Sequence, residues 1–250
     1  MHQQSLISII VPTYKVTPLI EACITSIQQQ SHPAFEVIIV NYAENKDEYL
    51  EQLTSRLNDS RIRLHQFDVK GIYTAMNEGI RISKGEWIIF LGFDDKLDNP
   101  HVFESFFKHK IDTSIDLLLG NVRIINQSSK LIPKVYKNKF SKAMYWKNTM
   151  HHQGVFYRAG IFNETKFDEQ YHILGDYQLH LRLLNLKLQY TYQDTFIAIC
   201  DGQGISKKFN TQLYGEEIRL KKETLSSFLF VLNCCWIPLK MIVKQFSSAA

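Results

Sequence analysis

The chain has 250 residues with a formal net charge of +4, and 45% of its residues are hydrophobic. This is the composition of a globular protein long enough for one large or two small domains, and it excludes a long disordered tract. The mild charge is not that of a dedicated nucleic-acid binder, so no nucleic-acid partner is expected. It excludes neither an anionic ligand nor a membrane surface as a partner.

The cysteines predict a reducing compartment. Cys23, Cys200, Cys234 and Cys235 lack metal-ligand spacing, and the adjacent pair cannot easily form a bridge, so free thiols in a cytosolic protein are expected. The first five residues lead directly into an apolar run, without the basic segment and cleavage site of a secretory signal. We therefore expect a cytoplasmic protein.

The first hundred residues alternate apolar runs of strand length with segments of helical spacing. Pro12 is expected to end the first strand, and Thr17 with Pro18 is expected to cap and open the first helix. The alternation predicts an α/β fold with a doubly wound, mostly parallel sheet and right-handed crossovers. The predicted strands are 6–11, 35–40, 62–64 and 87–91, and the predicted helices lie around 19–27, 50–57 and 71–83.

The pattern changes after Pro100, where a mixed sheet is expected. Residues 115–119 and 122–125 are apolar runs on either side of Gly120–Asn121, which predicts a hairpin or the edge of a mixed sheet. The other predicted elements are helices at 102–108 and 175–186 and strands at 153–157, 188–192 and 196–200.

Two adjacent carboxylates, Asp94 and Asp95, follow the apolar run Trp87 to Leu91. Ligands of open α/β sheets bind beyond the carboxyl ends of such strands. Neighbouring carboxylates repel each other unless a positive group lies beside them, and Mg²⁺ or Mn²⁺ carrying a diphosphate meets that need. The alternative is that both residues cap the next turn, which is common for Asp after a strand.

Several segments, taken in order, resemble the family-2 inverting glycosyltransferases, which have the GT-A nucleotide-sugar fold. The likeness spans roughly residues 5 to 206, and it is strongest to bacterial enzymes that build O-antigen, capsule or colanic-acid repeat units. An ordered set of motifs is far more specific than any one of them. The matching segments are Ser8–Tyr14, Phe35–Val40, Gly71–Gly79, Lys84–Asp95, His152–Phe156, Gly175–Leu179 and Gly202–Ser206.

The resemblance implies a GT-A domain over residues 1–206, with a mixed second half, and a C-terminal helical tail over 207–250. Within the domain, residues 1–99 would form the nucleotide-sugar half and residues 100–206 the acceptor half. The implied partners are a nucleotide-sugar donor and a saccharide acceptor linked to a lipid.

The resemblance assigns donor contacts to the first half. Pro12, Thr13 and Tyr14 match the loop that cradles the nucleotide, with ordinary turn residues as the alternative. Asn41 stands where many members have an Asp that contacts the base, and its amide can still hydrogen-bond a uracil edge. Asp68 is expected near the nucleotide or its ribose, with an exposed loop residue as the alternative.

Three further residues complete the implied donor site. Asn77 is expected to reach the donor from its helix, with a polar residue on a solvated helix face as the alternative. Asp94 lies nearer the ribose in the family's pattern, and Asp95 is the direct ligand of Mn²⁺ or Mg²⁺. The usual L-N-S before this pair is replaced by Leu91-Gly92-Phe93, which removes polar groups but keeps both carboxylates.

Asp176 is the expected catalytic base, because inverting transfer needs a carboxylate that takes the proton of the acceptor hydroxyl. It could also cap the helix that follows. The family often has an acidic residue just before it, where this chain has Gly175. His152 is expected to position the acceptor or the leaving diphosphate. A zinc site with His151 is not expected, because no Cys or His partners at ligand spacing accompany the pair.

Residues 225–243 are strongly apolar but contain Asn233, Pro238 and Lys240, so they make a poor membrane-spanning helix. Two interpretations stay open: a helix packed on the domain or in a dimer, and an interfacial segment that contacts the inner leaflet. Lipid-linked acceptors, usual in the resembled pathways, favour the interface. The lysines that flank this segment are Lys207, Lys208, Lys221, Lys222 and Lys244.

The predicted function is metal-dependent, inverting transfer of a sugar from a nucleoside diphosphate donor, with a UDP-sugar expected, to a lipid-linked glycan. The enzyme would act in cell-surface polysaccharide synthesis, peripherally on the cytoplasmic face of the bacterial inner membrane. A non-catalytic scaffold that binds a nucleotide-sugar or membrane is the alternative, kept open by Asn41, Gly92–Phe93 and Gly175. A nucleotidyltransferase is disfavoured, because Val11 to Tyr14 lacks a Gly-rich loop with a basic residue. The oligomeric state is not predicted.

Overall fold

The first half of the chain is a parallel sheet connected by helices. The structure is a computed structural model that describes residues 5–14, 17–42, 48–68, 70–127, 132–204 and 210–248. The strands lie side by side in the order β3-β2-β1-β4, and each neighbouring pair is parallel. This confirms the predicted doubly wound layout. The elements are β1 (Ile7–Thr13), α1 (Leu19–Gln28), β2 (Phe35–Tyr42), α2 (Glu48–Leu57), β3 (Ile62–Phe67), α3 (Ile72–Ile82) and β4 (Trp87–Phe90).

Burial on both faces explains why the central strands are continuously apolar. Every residue of β1 and β4 is buried, because helices cover both sides of a parallel sheet. On one side α3 approaches β1 closely at Gly79, where a Cβ would lie 2.5 Å from the Ile10 side chain. Glycine at this position therefore sets how near α3, and the loop before it, can come to the sheet.

The second half adds a mixed sheet to the edge of β4. Strand β8 lies between β4 and β6 and is antiparallel to both. Strand β9 runs parallel to β6 and pairs on its other side with β5, which is antiparallel to it and is the last strand in the order. The elements are β5 (Lys96–Leu97), α4 (Val102–Phe107), β6 (Leu117–Ile125), β7 (Val135–Lys137), β8 (Val155–Arg158), α5 (Gly175–Asn185) and β9 (Tyr190–Asp201), with 3₁₀ turns at Lys142–Tyr145, His152–Gly154 and Ala159–Asn163.

The hairpin expected at Gly120–Asn121 is wrong, because β6 runs through both residues without turning. Its register with β9 shifts at Asn121, and a Cβ on Gly120 would lie 2.7 Å from the side chain of Ile197. The glycine thus marks an irregularity where two strands approach closely, which is its other common meaning inside a strand. Strand β9 is likewise one strand where two short ones were predicted.

Two boundaries near the N-terminus also differ from expectation. β1 continues through Pro12 to Thr13 beside β2, while its pairing with β4 ends at Ile10. Pro12 therefore lies where β1 has one neighbour, a position at which a missing N–H is tolerated. The helix α1 begins at Leu19 without a side-chain cap, so the predicted Thr17 cap is wrong by one position.

Two tail helices, α6 (Thr211–Thr224) and α7 (Ser227–Ser248), follow the sheet. They pack on each other and on Ile173 and Leu174, just before α5. Asn210 caps α6 by accepting a hydrogen bond from the Leu213 amide at 2.9 Å. On α7, Asn233 and Ile237 are buried. Among the helices of the described residues, none is both long and apolar enough to cross a bilayer.

The other face of α7 is apolar and exposed. Its residues recur at helical spacing and retain large accessible surfaces, in contrast to the buried pair on the opposite side. They are Phe228 (73% exposed), Val231 (61%), Leu232 (40%) and Trp236 (46%).

Lys221, one of the lysines that flank the apolar segment, is completely buried. Its ammonium donates to Asn233 Oδ1 at 2.6 Å and to the Tyr145 carbonyl at 3.0 Å, and Glu217 Oε1 lies 3.5 Å away. Lys222 is exposed. Of the other lysines that flank the apolar segment, Lys207 and Lys208 lie outside the described residues, as does the side chain of Lys244.

Candidate active site

A cavity of about 1220 Å³ opens beyond the carboxyl ends of β1 and β4, where the two halves of the sheet meet. This is where a doubly wound sheet is expected to bind its ligand. Residues predicted from both halves of the sequence line it together. They are Pro12, Thr13, Tyr14, Asp94, Asp95, His152 and Asp176.

The other three predicted residues lie outside the lining. Asn41 is buried behind the loop, where its Oδ1 accepts from Thr13 Oγ1 at 3.1 Å. Asp68 is exposed away from the cavity. Asn77 donates to the Phe167 carbonyl at 2.9 Å and to Glu169 Oε1 at 2.8 Å, so its amide holds α3 to the segment before α5. The roles expected for these residues at the donor stay predictions.

Aromatic and basic side chains line the end of the cavity next to β1. The Tyr14 and Tyr42 rings are 6.2 Å apart, and the Lys70 ammonium lies 5.3 Å from the Tyr14 ring. All three side chains line the cavity. Rings of this kind offer a stacking surface for a planar group, and the ammonium offers a partner for an anion.

Asp95 is almost completely buried and is held by two hydrogen bonds. Its Oδ2 accepts from the Gly92 amide at 2.9 Å and from Gln153 Nε2 at 2.8 Å. A Cβ on Gly92 would lie 2.7 Å from Asp95 Oδ2 and 2.8 Å from Asp94 Oδ1. Glycine at position 92 thus lets the backbone approach both carboxylates, which gives a structural reason for this departure from the family's pattern.

Asp94 lies in an environment that disfavours its charge. Desolvation in the cavity, and then the neighbouring charge of Asp95, raise the pKa of the Asp94 carboxyl, and Asp201 adds to the effect. A divalent cation would remove this repulsion. No group of three or more Cys, His, Asp or Glu forms a metal cluster among the described residues. The adjacent carboxylates of Asp94 and Asp95 could hold Mg²⁺ or Mn²⁺, which takes one or two carboxylates together with substrate phosphate.

Asp201 is a site residue that the sequence did not reveal. It is the last residue of β9, lines the cavity and lies close enough to Asp94 to affect its pKa. A carboxylate at the end of a parallel strand would have been the signal. Because β9 was predicted to end at residue 200 in an isolated short strand, that signal was not recognised.

Asp176 lies in the first turn of α5 and is paired with His152. Its Oδ2 is 3.2 Å from His152 Nδ1, its Oδ1 accepts from the Tyr177 amide at 2.8 Å, and both paired side chains are 16% exposed. Burial works to raise the pKa of Asp176, but the hydrogen bond and charge of His152 outweigh it and lower the pKa to about 2. Asp176 is therefore ionised at neutral pH and can accept a proton.

Asp176 is not the N-cap of α5, because that position is occupied by Leu174 and has no side-chain cap. One turn later, His180 is buried and its Nε2 lies 2.7 Å from the Tyr157 hydroxyl. Burial lowers the pKa of His180 to about 4. His180 is thus neutral at pH 7, and His152 is the histidine in direct contact with Asp176.

Comparison with known proteins identifies the family. The family model for glycosyl transferase family 2 matches residues 8–207. The chain belongs to this family. Its relatives include WcaA of Escherichia coli K12, a glycosyl transferase named for colanic acid biosynthesis, which is 29% identical over 191 residues covering 74% of this chain and 68% of WcaA. A PGL/p-HBAD biosynthesis glycosyltransferase of Mycobacterium bovis is 28% identical over 183 residues, covering 71% of this chain and 69% of the relative.

Solved structures confirm the GT-A fold of this family 2 member. A fragment of Staphylococcus aureus TarS in complex with UDP-GlcNAc superposes with a TM-score of 0.69 at 20% identity, covering 88% of this chain and 66% of the fragment. The mannosyltransferase PcManGT of Pyrobaculum calidifontis, in complex with GDP-Man and Mn²⁺, has a TM-score of 0.65 at 17% identity, covering 100% of this chain and 76% of PcManGT. At these identities the likeness concerns the fold alone.

Packing around Gly175 gives a stability prediction, because a Cβ there would lie 2.6 Å from the Tyr73 ring. We expect Gly175→Ala to lower the free energy of unfolding by about 1–3 kcal/mol through overpacking, measured by urea denaturation. Gly160→Ala is the matched control, since a Cβ at Gly160 meets nothing within 4 Å. Equal stability of the two variants would contradict the close contact.

Proposed function

We propose that the chain is a metal-dependent, inverting glycosyltransferase that moves a sugar from a nucleoside diphosphate donor to a saccharide on a lipid carrier. The supporting observation is that one cavity is lined both by the carboxylates after β4 and by the ionised Asp176 of α5. Relatives named for the synthesis of colanic acid and PGL/p-HBAD agree with a role in cell-surface polysaccharide or glycolipid synthesis.

The donor would lie along the β1 side of the cavity. Tyr14 and Tyr42 would flank the base, and Lys70 would meet the phosphates. A UDP-sugar is the proposed donor and GDP-mannose the competing one, since TarS and PcManGT, of the same fold, bind UDP-GlcNAc and GDP-Man respectively. Mg²⁺ or Mn²⁺ held by Asp95, with Asp94 beside it, would neutralise the charge of the departing diphosphate.

Asp176 would act as the base. Its carboxylate takes the proton of the acceptor hydroxyl while the acceptor oxygen forms a bond to the anomeric carbon. The bond from that carbon to the diphosphate breaks on the opposite face, so the anomeric configuration inverts. His152, at 3.2 Å from Asp176 Oδ2, orients the carboxylate and stabilises its charge before transfer.

The exposed face of α7 would bring the cavity to the membrane that carries the acceptor. Trp236 belongs both to this face and to the lining of the cavity. An amphipathic helix with such a face lies in the interface of a bilayer, and basic side chains such as Lys222 strengthen binding to anionic lipid. The protein would then act peripherally on the cytoplasmic face of the inner membrane.

The proposed role of Asp176 as the catalytic base is tested with Asp176→Asn. The asparagine keeps an oxygen for the Tyr177 amide but cannot accept the proton, so we expect kcat to fall by about 10²- to 10⁴-fold while nucleotide affinity stays unchanged. Turnover would be followed as release of the nucleoside diphosphate from UDP-GlcNAc or GDP-mannose with Mn²⁺, with water or a membrane lipid extract as acceptor. Glu164→Gln, at an exposed position, is the control. Full turnover in Asp176→Asn would remove Asp176 from the reaction.

The metal is tested with Asp95→Asn, which retains an acceptor for the Gly92 and Gln153 hydrogen bonds but lacks the charge. We expect the wild-type protein to bind UDP or GDP at least tenfold more tightly with Mn²⁺ than with EDTA. The variant should lose most of this difference, because a carboxylate is a far better ligand for a hard cation than an amide. Calorimetric titration of each nucleotide measures both. Equal wild-type affinity with Mn²⁺ and EDTA would favour the scaffold alternative.

Membrane contact is tested with the double variant Phe228→Ser/Val231→Ser. Wild-type protein should co-sediment with vesicles of equal parts phosphatidylcholine and phosphatidylglycerol, more strongly than with phosphatidylcholine alone. The variant should remain in the supernatant, because two exposed apolar side chains of α7 are removed. Leu186→Ser, which removes an exposed leucine at the end of α5, should behave as wild type. A wild-type protein that stays in the supernatant would contradict the proposal.

A further inference from the structure

Glu216 of α6 accepts three hydrogen bonds from the backbone just before the helix that carries Asp176. Its Oε1 accepts from the His172 amide at 2.9 Å, and its Oε2 accepts from the Ile173 and Leu174 amides, both at 2.9 Å. Leu174 is the N-cap of α5, so these amides lead directly into the turn that bears Asp176. Hydrogen bonds from amides to an ionised carboxylate are stronger than those between neutral groups.

The same backbone is held from the opposite side by α3. The Tyr73 hydroxyl donates to the Ile173 carbonyl at 2.9 Å, and the Tyr73 ring fills the space beside Gly175. Residues 172–175 therefore lie between a donor on α3 and an acceptor on α6. A rotation of this segment would break contacts on one side or the other.

The helix that supplies Glu216 is itself anchored to the residues just before this segment. Glu223 Oε2 accepts from the Tyr171 hydroxyl at 2.7 Å, and the Arg219 guanidinium donates to Gln170 Oε1. Glu216, Arg219 and Glu223 recur at helical spacing and so lie on one side of α6. One side of α6 thus contacts the chain continuously from residue 170 to residue 174.

We infer that Glu216 is a positioning residue for Asp176, so that the first tail helix is part of the catalytic apparatus. This inference rests on the proposed function, since it concerns the base of that reaction. Glu216 acts through the backbone, because its carboxylate is fully engaged with three amides. Without it, the amides of residues 172–174 lose these three hydrogen bonds to α6, while the hydrogen bond from Tyr73 to Ile173 remains. A displacement of about 1 Å at a catalytic group can cost roughly 10²-fold in rate.

The test compares Glu216→Ala, which loses all three acceptor contacts, with Glu216→Gln, which keeps one side-chain oxygen. Gln212→Ala, an exposed position one turn earlier on α6, is the control. Amide hydrogen exchange of residues 168–176 is measured first, because it does not depend on activity. We expect exchange at 172–174 to be fastest in Glu216→Ala, intermediate in Glu216→Gln, and as in wild type for Gln212→Ala.

Kinetics with UDP-GlcNAc or GDP-mannose and Mn²⁺ supply the second readout. We expect kcat to fall about 10²-fold in Glu216→Ala and less in Glu216→Gln, with unchanged KM for the donor and unchanged affinity for the nucleotide. Parallel losses of donor affinity and thermal stability would indicate a merely structural role and overturn the inference. So would wild-type turnover in Glu216→Gln and Glu216→Ala.

The proposed function and the positioning role of Glu216 are tested separately. If wild-type protein binds nucleotide without transferring sugar to water or lipid extract, the proposed function is wrong, and the role of Glu216 in catalysis falls with it. If wild-type protein is active and the Glu216 variants match it, only the positioning role is wrong. If Glu216→Ala does not fold, Glu216→Gln decides by the same exchange and kinetic criteria.

Discussion

The hydrogen bond from Gln153 to Asp95 is the contact on which the geometry of the cavity depends, because it joins the two halves of the sheet at the site. The residue just before Gln153, His152, contacts Asp176. Two adjacent residues therefore each hold one carboxylate, one in the half that would bind the donor and one in the half that would bind the acceptor. Antiparallel pairing of β4 with β8 makes this possible, since it places the start of β8 at the end of β4.

The carboxylates of the cavity differ in the charge that surrounds them. Asp176 has a built-in partner in His152, and its pKa lies well below the usual range. The pKa of Asp94 is raised, first by desolvation and then by the negative charges of Asp95 and Asp201. Environments that separate the pKa values of neighbouring acids in this way allow them different roles. In the proposed reaction, Mg²⁺ or Mn²⁺ would offset the negative charge around Asp94.

Most of the first half could be predicted from the sequence, because its strands are buried on both faces and its helices show regular apolar spacing. Ordered motifs single out Asp94, Asp95 and Asp176, and all three line the cavity. Long-range contacts could not be predicted in the same way. Gly120–Asn121 is a pair typical of turns, but β6 continues through it. The reason for glycine there, its close approach to Ile197, is visible only in the structure. Asn77, Asp201 and Glu216 likewise depend on partners far along the chain.

The burial of Lys221 limits how the tail can meet a membrane. Its ammonium is surrounded by the 3₁₀ turn at Lys142–Tyr145, by Glu217 of α6 and by Asn233 of α7. Separating α7 from the domain would break the hydrogen bond from the buried ammonium to Asn233 and uncover Ile237. Hydrogen bonds to charged groups contribute about 1.5–3 kcal/mol. These contacts oppose the release of α7 into lipid as a free anchor. If α7 meets a bilayer in this packed position, the domain would follow it to the surface, and the cavity would lie at a fixed height above the lipid.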